Sequence, residues 1–298
     1  HDDSLMSSPT TLSLPSATAS LGPVGLVLAA AMLWGTTGTA QHFAPAQLSP
    51  YWVGGLRLVL AALFFIALAL VMDRGHRSSP LRWGPMVFCG LCMAIYNLSF
   101  FAGIKASGVA LGTALAIGSG PIWAGLMQAV VQKRMPSPQW WLGTCIGVGG
   151  GIVMALATAD RQHLPWVGMA LCLLAGLSYA AYALVNQALV MQARVATVNA
   201  WVFGCAALLS LPFAAWLGGP LQVSASGWAV VIYLGIVATG VAYLLFSVGL
   251  RGMSAATGVA LSKAEPITAF ALSLLIVCER HAWWSVTGLL GAADANAR

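Results

Sequence analysis

Three ionisable side chains stand inside long apolar stretches of this sequence: Arg57, Lys263 and Glu265. A charge at hydrocarbon depth costs about 3 kcal/mol or more unless it faces a cavity or a partner, so such residues are functional candidates by default. Lys263-Ala-Glu265-Pro266 sets an ammonium and a carboxylate two residues apart, directly ahead of a proline. On a regular helix positions i and i+2 face different ways. Proline, however, cannot donate to the carbonyl four residues back, here that of Ser262. A helix interrupted beside charges is a recurrent way to build a polar site at membrane depth. The chemistry open to this one is recognition of a small zwitterion, with Lys263 meeting a carboxylate and Glu265 an ammonium group. The same two charges could instead neutralise one another or pair with Arg57. Arg57, two turns into its apolar run, either joins them or extends its guanidinium to the interface.

Aromatic and amide side chains form the second group of candidates. Trp34, Tyr96, Asn97, Trp123, Tyr179, Tyr182 and Asn186 all lie well inside apolar runs. Tyr179, Tyr182 and Asn186 fall at i, i+3 and i+7, one face of a helix. Rings on that face can stack against an aromatic ligand while the amide binds its polar end. The alternative is packing between helices, with the hydroxyls on backbone carbonyls. With Ser262, Lys263 and Glu265 these are the candidate substrate contacts, and Pro121 and Pro266 are candidate helix breaks.

Catalytic and cofactor signals are missing where they would be informative. There is no G-x-x-x-x-G-K-[S/T], so no P-loop supplies ATP, and no H-E-x-x-H or intramembrane aspartate pair to hold a metal. Cys89-Gly-Leu-Cys92 has the C-x-x-C spacing of redox and zinc sites, but it sits in an apolar run with no second pair nearby, which reads as packing. No catalytic residue, metal or cofactor is therefore expected.

The elements that must position these residues follow from composition. Of 298 residues, 59% are hydrophobic and only 7% charged, against about 25% charged in a soluble domain. This is an all-α integral membrane protein. The formal charge of +6 is scattered in twos and threes between apolar runs, a pattern of topology signals rather than of a nucleic-acid surface. Ten spans are predicted: Leu21–Phe43, Tyr51–Met72, Trp83–Ala102, Val109–Val131, Trp140–Thr158, Val167–Val190, Val198–Leu217, Trp228–Leu250, Ala255–Val277 and a short tenth from Trp283. Residues 1–20 read as a disordered polar tail, in which Met6 looks like the natural start. Trp283 to Ala293 is too short to cross about 30 Å of hydrocarbon, which points to a missing stretch near Gly291, with a real truncation or a re-entrant end as the alternatives. With the N-terminus cytoplasmic, Arg74, Arg77, Arg82, Lys133, Arg134, Arg194, Arg251 and Arg298 fall inside and only Lys105, Arg161 and Arg280 outside, as the positive-inside rule requires. The C-terminus is then cytoplasmic as well.

The chain also echoes itself. Pro121 and Pro266 lie 145 residues apart, as do Trp34 and Tyr179, and Gln41 and Asn186. Gly103-Ile-Lys105 echoes Gly249-Leu-Arg251, and Trp140-Trp141 echoes Trp283-Trp284. The halves, 21–158 and 164–298, hold five spans each, and an odd number inserts the second half upside down. Inverted repeats are characteristic of alternating-access carriers, with substrate bound near the midplane between the halves.

Ala-Met-Leu-Trp34-Gly35-Thr, Arg57-Leu-Val-Leu-Ala-Ala, Gly258…Glu265-Pro266 and Cys-Glu279-Arg280, in that order, resemble the EamA-type drug/metabolite transporters over essentially the whole chain. Within these the likeness is greatest to the YddG-type aromatic amino acid exporters. The first-half counterpart of Glu279-Arg280 is Lys133-Arg134, which lacks the family's frequent acid. The resemblance implies a ten-helix bundle with a central cavity and export of aromatic amino acids across a bacterial inner membrane. Glu265 is the only clear acid at membrane depth and His42 lies near a helix end, which favours gradient-driven export without ATP. Rival readings are the same fold moving other amino acids, drugs or nucleotide sugars, or a membrane-embedded channel or enzyme. The expected partners are a small-molecule substrate and the lipid bilayer; oligomeric state is not legible.

Overall fold

The computed structural model describes residues 18–45, 47–72, 83–158 and 165–272. All regular structure among them is helical, as it must be where lipid offers no partner to backbone N–H and C=O groups. The order is α1 (Thr18–His42), α2 (Pro50–Met72), α3 (Trp83–Ser107), α4 (Val109–Val131), α5 (Pro138–Thr158), α6 (Trp166–Gln192), α7 (Val195–Leu217), α8 (Ala225–Ile232), a π-helical stretch (Tyr233–Val241), α9 (Ala242–Gly249), α10 (Ala255–Leu261) and α11 (Ala264–Leu272). Seven of the described helical runs are long and apolar enough to cross a membrane, the run Ala225–Gly249 counting as one. The outer surface is apolar as well: Trp166, Leu208, Trp216 and Val130 are all exposed, as expected of a face solvated by lipid. The protein is a multi-pass membrane protein. The expected tenth span, the acidic-basic pair Glu279-Arg280 and the tail before Thr18 lie outside the described residues.

The helices pack in pairs around a common centre. α6 lies against α3 and α4, α7 against α2 and α3, and α1 against the π-stretch, α9 and α11. Without a hydrophobic drive between helices in lipid, small residues set how closely backbones approach. At Gly176 of α6 a Cβ would meet Ser119 Oγ at 2.2 Å and the Ala116 carbonyl at 2.7 Å, so only glycine lets α6 lie on α4. Helices α3 and α4 are joined by Gly108 alone, at φ +83° and ψ 155°, a region of backbone space essentially reserved for glycine.

Two irregularities fall at the centre. At Tyr233–Val241 the helix widens to π geometry, and Thr239 Oγ1 donates to the Leu234 carbonyl five residues back at 2.7 Å. The predicted ninth span is not one helix but two, broken at Ser262–Lys263. Pro266 cannot donate to Ser262, and the Glu265 N–H takes that carbonyl instead at 3.0 Å. The bond reaches back three residues and tightens the chain there. At Pro121 the expected break does not occur: α4 runs continuously from Val109 to Val131. Neighbouring turns of a packed helix can absorb one missing donor.

An aromatic core joins α2, α7 and α9. Phe65 stacks on Phe203 (5.4 Å between centroids), and Phe203 meets Tyr243 edge-on at 4.9 Å. Beside them, fully buried Asn186 and Asn199 both donate to Ser247 Oγ at 3.1 Å, tying α6, α7 and α9 together. Cys89 and Cys92 are buried free thiols, with Cys89 Sγ 3.9 Å from the Tyr182 carbonyl.

Candidate functional site

Among these side chains the helices enclose a small cavity of about 70 Å³. α1 contributes Trp34 and Thr37, α2 Arg57, α3 Tyr96 and Phe100, and α4 Ala116 and Ile117. Tyr179 comes from α6, Ala238 and Thr239 from the π-stretch and Tyr243 from α9. Val259, Ser262 and Glu265 complete the wall from the broken helix α10/α11. The two irregular backbones therefore both line the cavity. Irregular backbone at membrane depth is tolerated where it borders protein or a cavity rather than lipid.

Local contacts explain the placement of each polar side chain. Gly35 follows Trp34 on α1 and faces the Glu265 carbonyl, where a Cβ would come within 2.6 Å of that oxygen. Its lack of a side chain brings α11, and with it Glu265, against α1. Arg57 does not reach for the interface. Its Nη2 donates to Asn97 Oδ1 at 3.2 Å, and its guanidinium carbon lies 5.6 Å from the Phe101 ring centroid, a cation–π contact. Gly54, one turn before Arg57, leaves the room that Asn97 and Phe101 occupy, 2.8 and 2.6 Å from where its Cβ would stand. Ser262 gives its proton to the Val259 carbonyl at 2.8 Å.

Several donors on this wall close no hydrogen bond among the described residues. Trp34 Nε1 and Arg57 Nε are buried without a hydrogen-bond partner among the described residues, and the Tyr179 hydroxyl lies beside Ser262 without closing a hydrogen bond to it. Buried polar groups are normally satisfied, and these donors on the cavity wall are free to meet acceptors of a bound molecule. The rings supply the complementary apolar surface. Trp34 meets Tyr179 edge-on at 6.1 Å, and Tyr96 lies 5.5 Å from Tyr179.

Of the residues singled out in the sequence, the structure brings Trp34, Tyr96, Tyr179, Ser262 and Glu265 together on the cavity. Asn97 lies one layer behind and holds Arg57. Tyr182 and Asn186 share the face of Tyr179 but sit deeper, fully buried in the core, so only the first residue of that stripe borders the cavity. Trp123 packs partly buried against the core, its Nε1 without a partner among the described residues. Lys263 is turned away from Glu265 by the break in the helix, and its Nζ donates to the Thr144 carbonyl of α5 at 3.1 Å. Thr37, Phe100, Thr239 and Tyr243 were not singled out. Their types are common in any span, and no pattern in the sequence sets them apart.

Comparison with known proteins agrees with this architecture. The profile of the EamA-like transporter family matches residues 22–156 and again residues 166–293. The uncharacterized transporter YwfM of Bacillus subtilis (strain 168) is 35% identical over 254 residues, 85% of each chain. The biotin transporter of Salmonella typhimurium (strain LT2) is 25% identical over 243 residues, 78% of each chain. A solved crystal structure superposes with a TM-score of 0.80 at 19% identity, covering 95% of this chain and 96% of that one, which establishes likeness of fold. With the family profile matched across both halves and a relative aligned along most of the length, the chain is a member of the EamA-like transporter family.

Proposed function

We propose that this membrane transporter is a gradient-driven secondary carrier that exports small amphipathic metabolites, foremost aromatic amino acids, across a bacterial inner membrane. It works by alternating access, without ATP and not as an enzyme. The observation that carries this reading is the cavity itself: aromatic walls, idle buried donors on Trp34, Arg57 and Tyr179, and one carboxylate, Glu265. Rings suit the apolar part of such a substrate and the donors and carboxylate suit its polar end.

The reading includes ten spans arranged as two inverted repeats, 21–158 and 164–298, with both termini cytoplasmic. Support comes from the double match of the family profile, once in each half. The packing partners of the two halves also exchange: α3 on α6 is mirrored by α1 on α9, and α4 on α6 by α1 on α11. Trp34 and Tyr179, equivalent under the 145-residue offset, meet edge-on at 6.1 Å on the cavity wall, as residues near a two-fold axis do. The distribution of Lys and Arg among the loops supports the orientation.

Uptake of labelled tryptophan, phenylalanine and alanine into proteoliposomes, with and without an imposed pH gradient, tests the proposal. Saturable uptake of the two aromatic substrates over alanine, insensitive to the pH gradient, is expected. Uptake of none of them refutes the substrate assignment, and stimulation by the gradient refutes uncoupled export and turns attention to Glu265. A second reading, transport of a different amphipathic carboxylate, is favoured by the relatives named biotin transporters; labelled biotin in the same assay separates the two.

A further inference from the structure

We infer that Arg57 is the residue that recognises a carboxylate on the transported molecule, and that Asn97 positions it for this task. The inference rests on the reading above that the central cavity is the substrate site, and it names the chemical group that the site selects.

Four observations converge on Arg57. It lines the cavity from α2. Its guanidinium is held on two sides, by Asn97 Oδ1 at 3.2 Å and by the Phe101 ring at 5.6 Å. Asn97 is itself 1% exposed and contributes a neutral acceptor, so it orients the guanidinium without neutralising it. Arg57 Nε is buried and idle, as is Nε1 of Trp34, a residue 8% exposed on the same cavity. A planar, permanently charged fork with unused N–H groups matches a carboxylate, which it can bind through two parallel hydrogen bonds. No ion pair joins Arg57 to Glu265 among the described residues, although both border the cavity. A partly buried cation whose direct contacts are a neutral amide and a ring, with Glu265 acting on it only through space, is costly, and an incoming anion offsets that cost. Lys263, the other cation at this depth, is already engaged with the Thr144 carbonyl.

The test compares acids with their uncharged-carboxyl counterparts on purified full-length protein in detergent. Dissociation constants are measured by thermal-shift titration for tryptophan against tryptophanamide, indole-3-propionate against indole-3-propionamide, and hexanoate against hexanamide. The wild type is expected to bind acids about 10- to 100-fold more tightly than the amides, the range of a charge-assisted hydrogen bond. Arg57→Gln should abolish that preference, and Arg57→Lys should keep part of it. Asn97→Leu leaves the guanidinium but removes its acceptor, and should lose part of the preference; it carries the test where Arg57→Gln does not fold. A preference that survives Arg57→Gln, equal binding of acids and amides, or binding of no acid overturns the inference. An Arg57-dependent preference for hexanoate with no binding of the indole compounds upholds Arg57 and removes the aromatic assignment. Indole compounds bound without regard to the carboxylate do the reverse.

Discussion

Replacing Gly35 with alanine tests whether the close approach of α1 and α11 builds the site. A Cβ at Gly35 would stand 2.6 Å from the Glu265 carbonyl oxygen, 2.6 Å from the Thr268 Cβ and 3.1 Å from the Ala269 nitrogen. None of these atoms is the end of a flexible side chain, so only movement of the backbones gives relief. Ordinary contact begins near 3.4 Å, so the two helices must part by about 0.8 Å. Overpacking of this kind costs about 1–3 kcal/mol. Glu265 rides on the displaced backbone of α11 and Trp34 on that of α1, so the loss falls on the cavity wall itself. Gly35→Ala should therefore lower the thermal unfolding midpoint and weaken substrate binding about tenfold. Gly38, one turn further along α1, has nothing within 4 Å of its Cβ position. Gly38→Ala is the control and should be neutral or stabilising by up to about 1 kcal/mol through helix propensity. The measurements are thermal unfolding in detergent and initial uptake rates over a range of tryptophan concentrations. A Gly35→Ala protein with wild-type midpoint and KM refutes the reasoning, as does equal damage from Gly38→Ala.

Three further outcomes follow from single contacts. Ser247→Ala removes the acceptor shared by Asn186 and Asn199, leaving the buried Asn186 amide donor unpaired while Asn199 keeps the Tyr243 carbonyl at 3.5 Å. Thermal unfolding should show a loss of about 1–3 kcal/mol, and an unchanged midpoint would contradict it. Lys263→Met removes a charge bound to the Thr144 carbonyl rather than to the cavity. Binding of tryptophan should persist in equilibrium dialysis, and its loss would return Lys263 to the site. Gly108→Ala forces a side chain onto a residue at φ +83° and should destabilise by about 1–3 kcal/mol, although nothing lies within 4 Å of the added methyl; a wild-type midpoint would show that the α3–α4 link tolerates another backbone.

Composition alone determined that the chain lives in a bilayer and is helical, because apolar runs of span length leave the backbone no other way to satisfy its hydrogen bonds. Eight of the predicted spans coincide with described helical runs within a few residues at most ends. That Arg57, Lys263 and Glu265 each need a partner or a cavity was legible too, since charges are rare and costly in such runs. Which partners they find was not. Two residues apart in sequence, Lys263 and Glu265 part company because a three-residue backbone bond at Ser262 turns the helix between them. Arg57 was free to reach the interface until α3 presented Asn97 and Phe101 to it, a contact made 40 residues away along the chain. The stripe Tyr179, Tyr182, Asn186 was a true helix face, but periodicity fixes direction around a helix and not depth along it. Only the packing of the neighbouring helices decided that Tyr179 borders the cavity while Tyr182 and Asn186 are sealed in the core. Pro121 and Pro266 carry the same missing donor, and tertiary packing decided which helix broke. Local sequence sets which groups need partners; where those partners stand is a property of distant helices brought together.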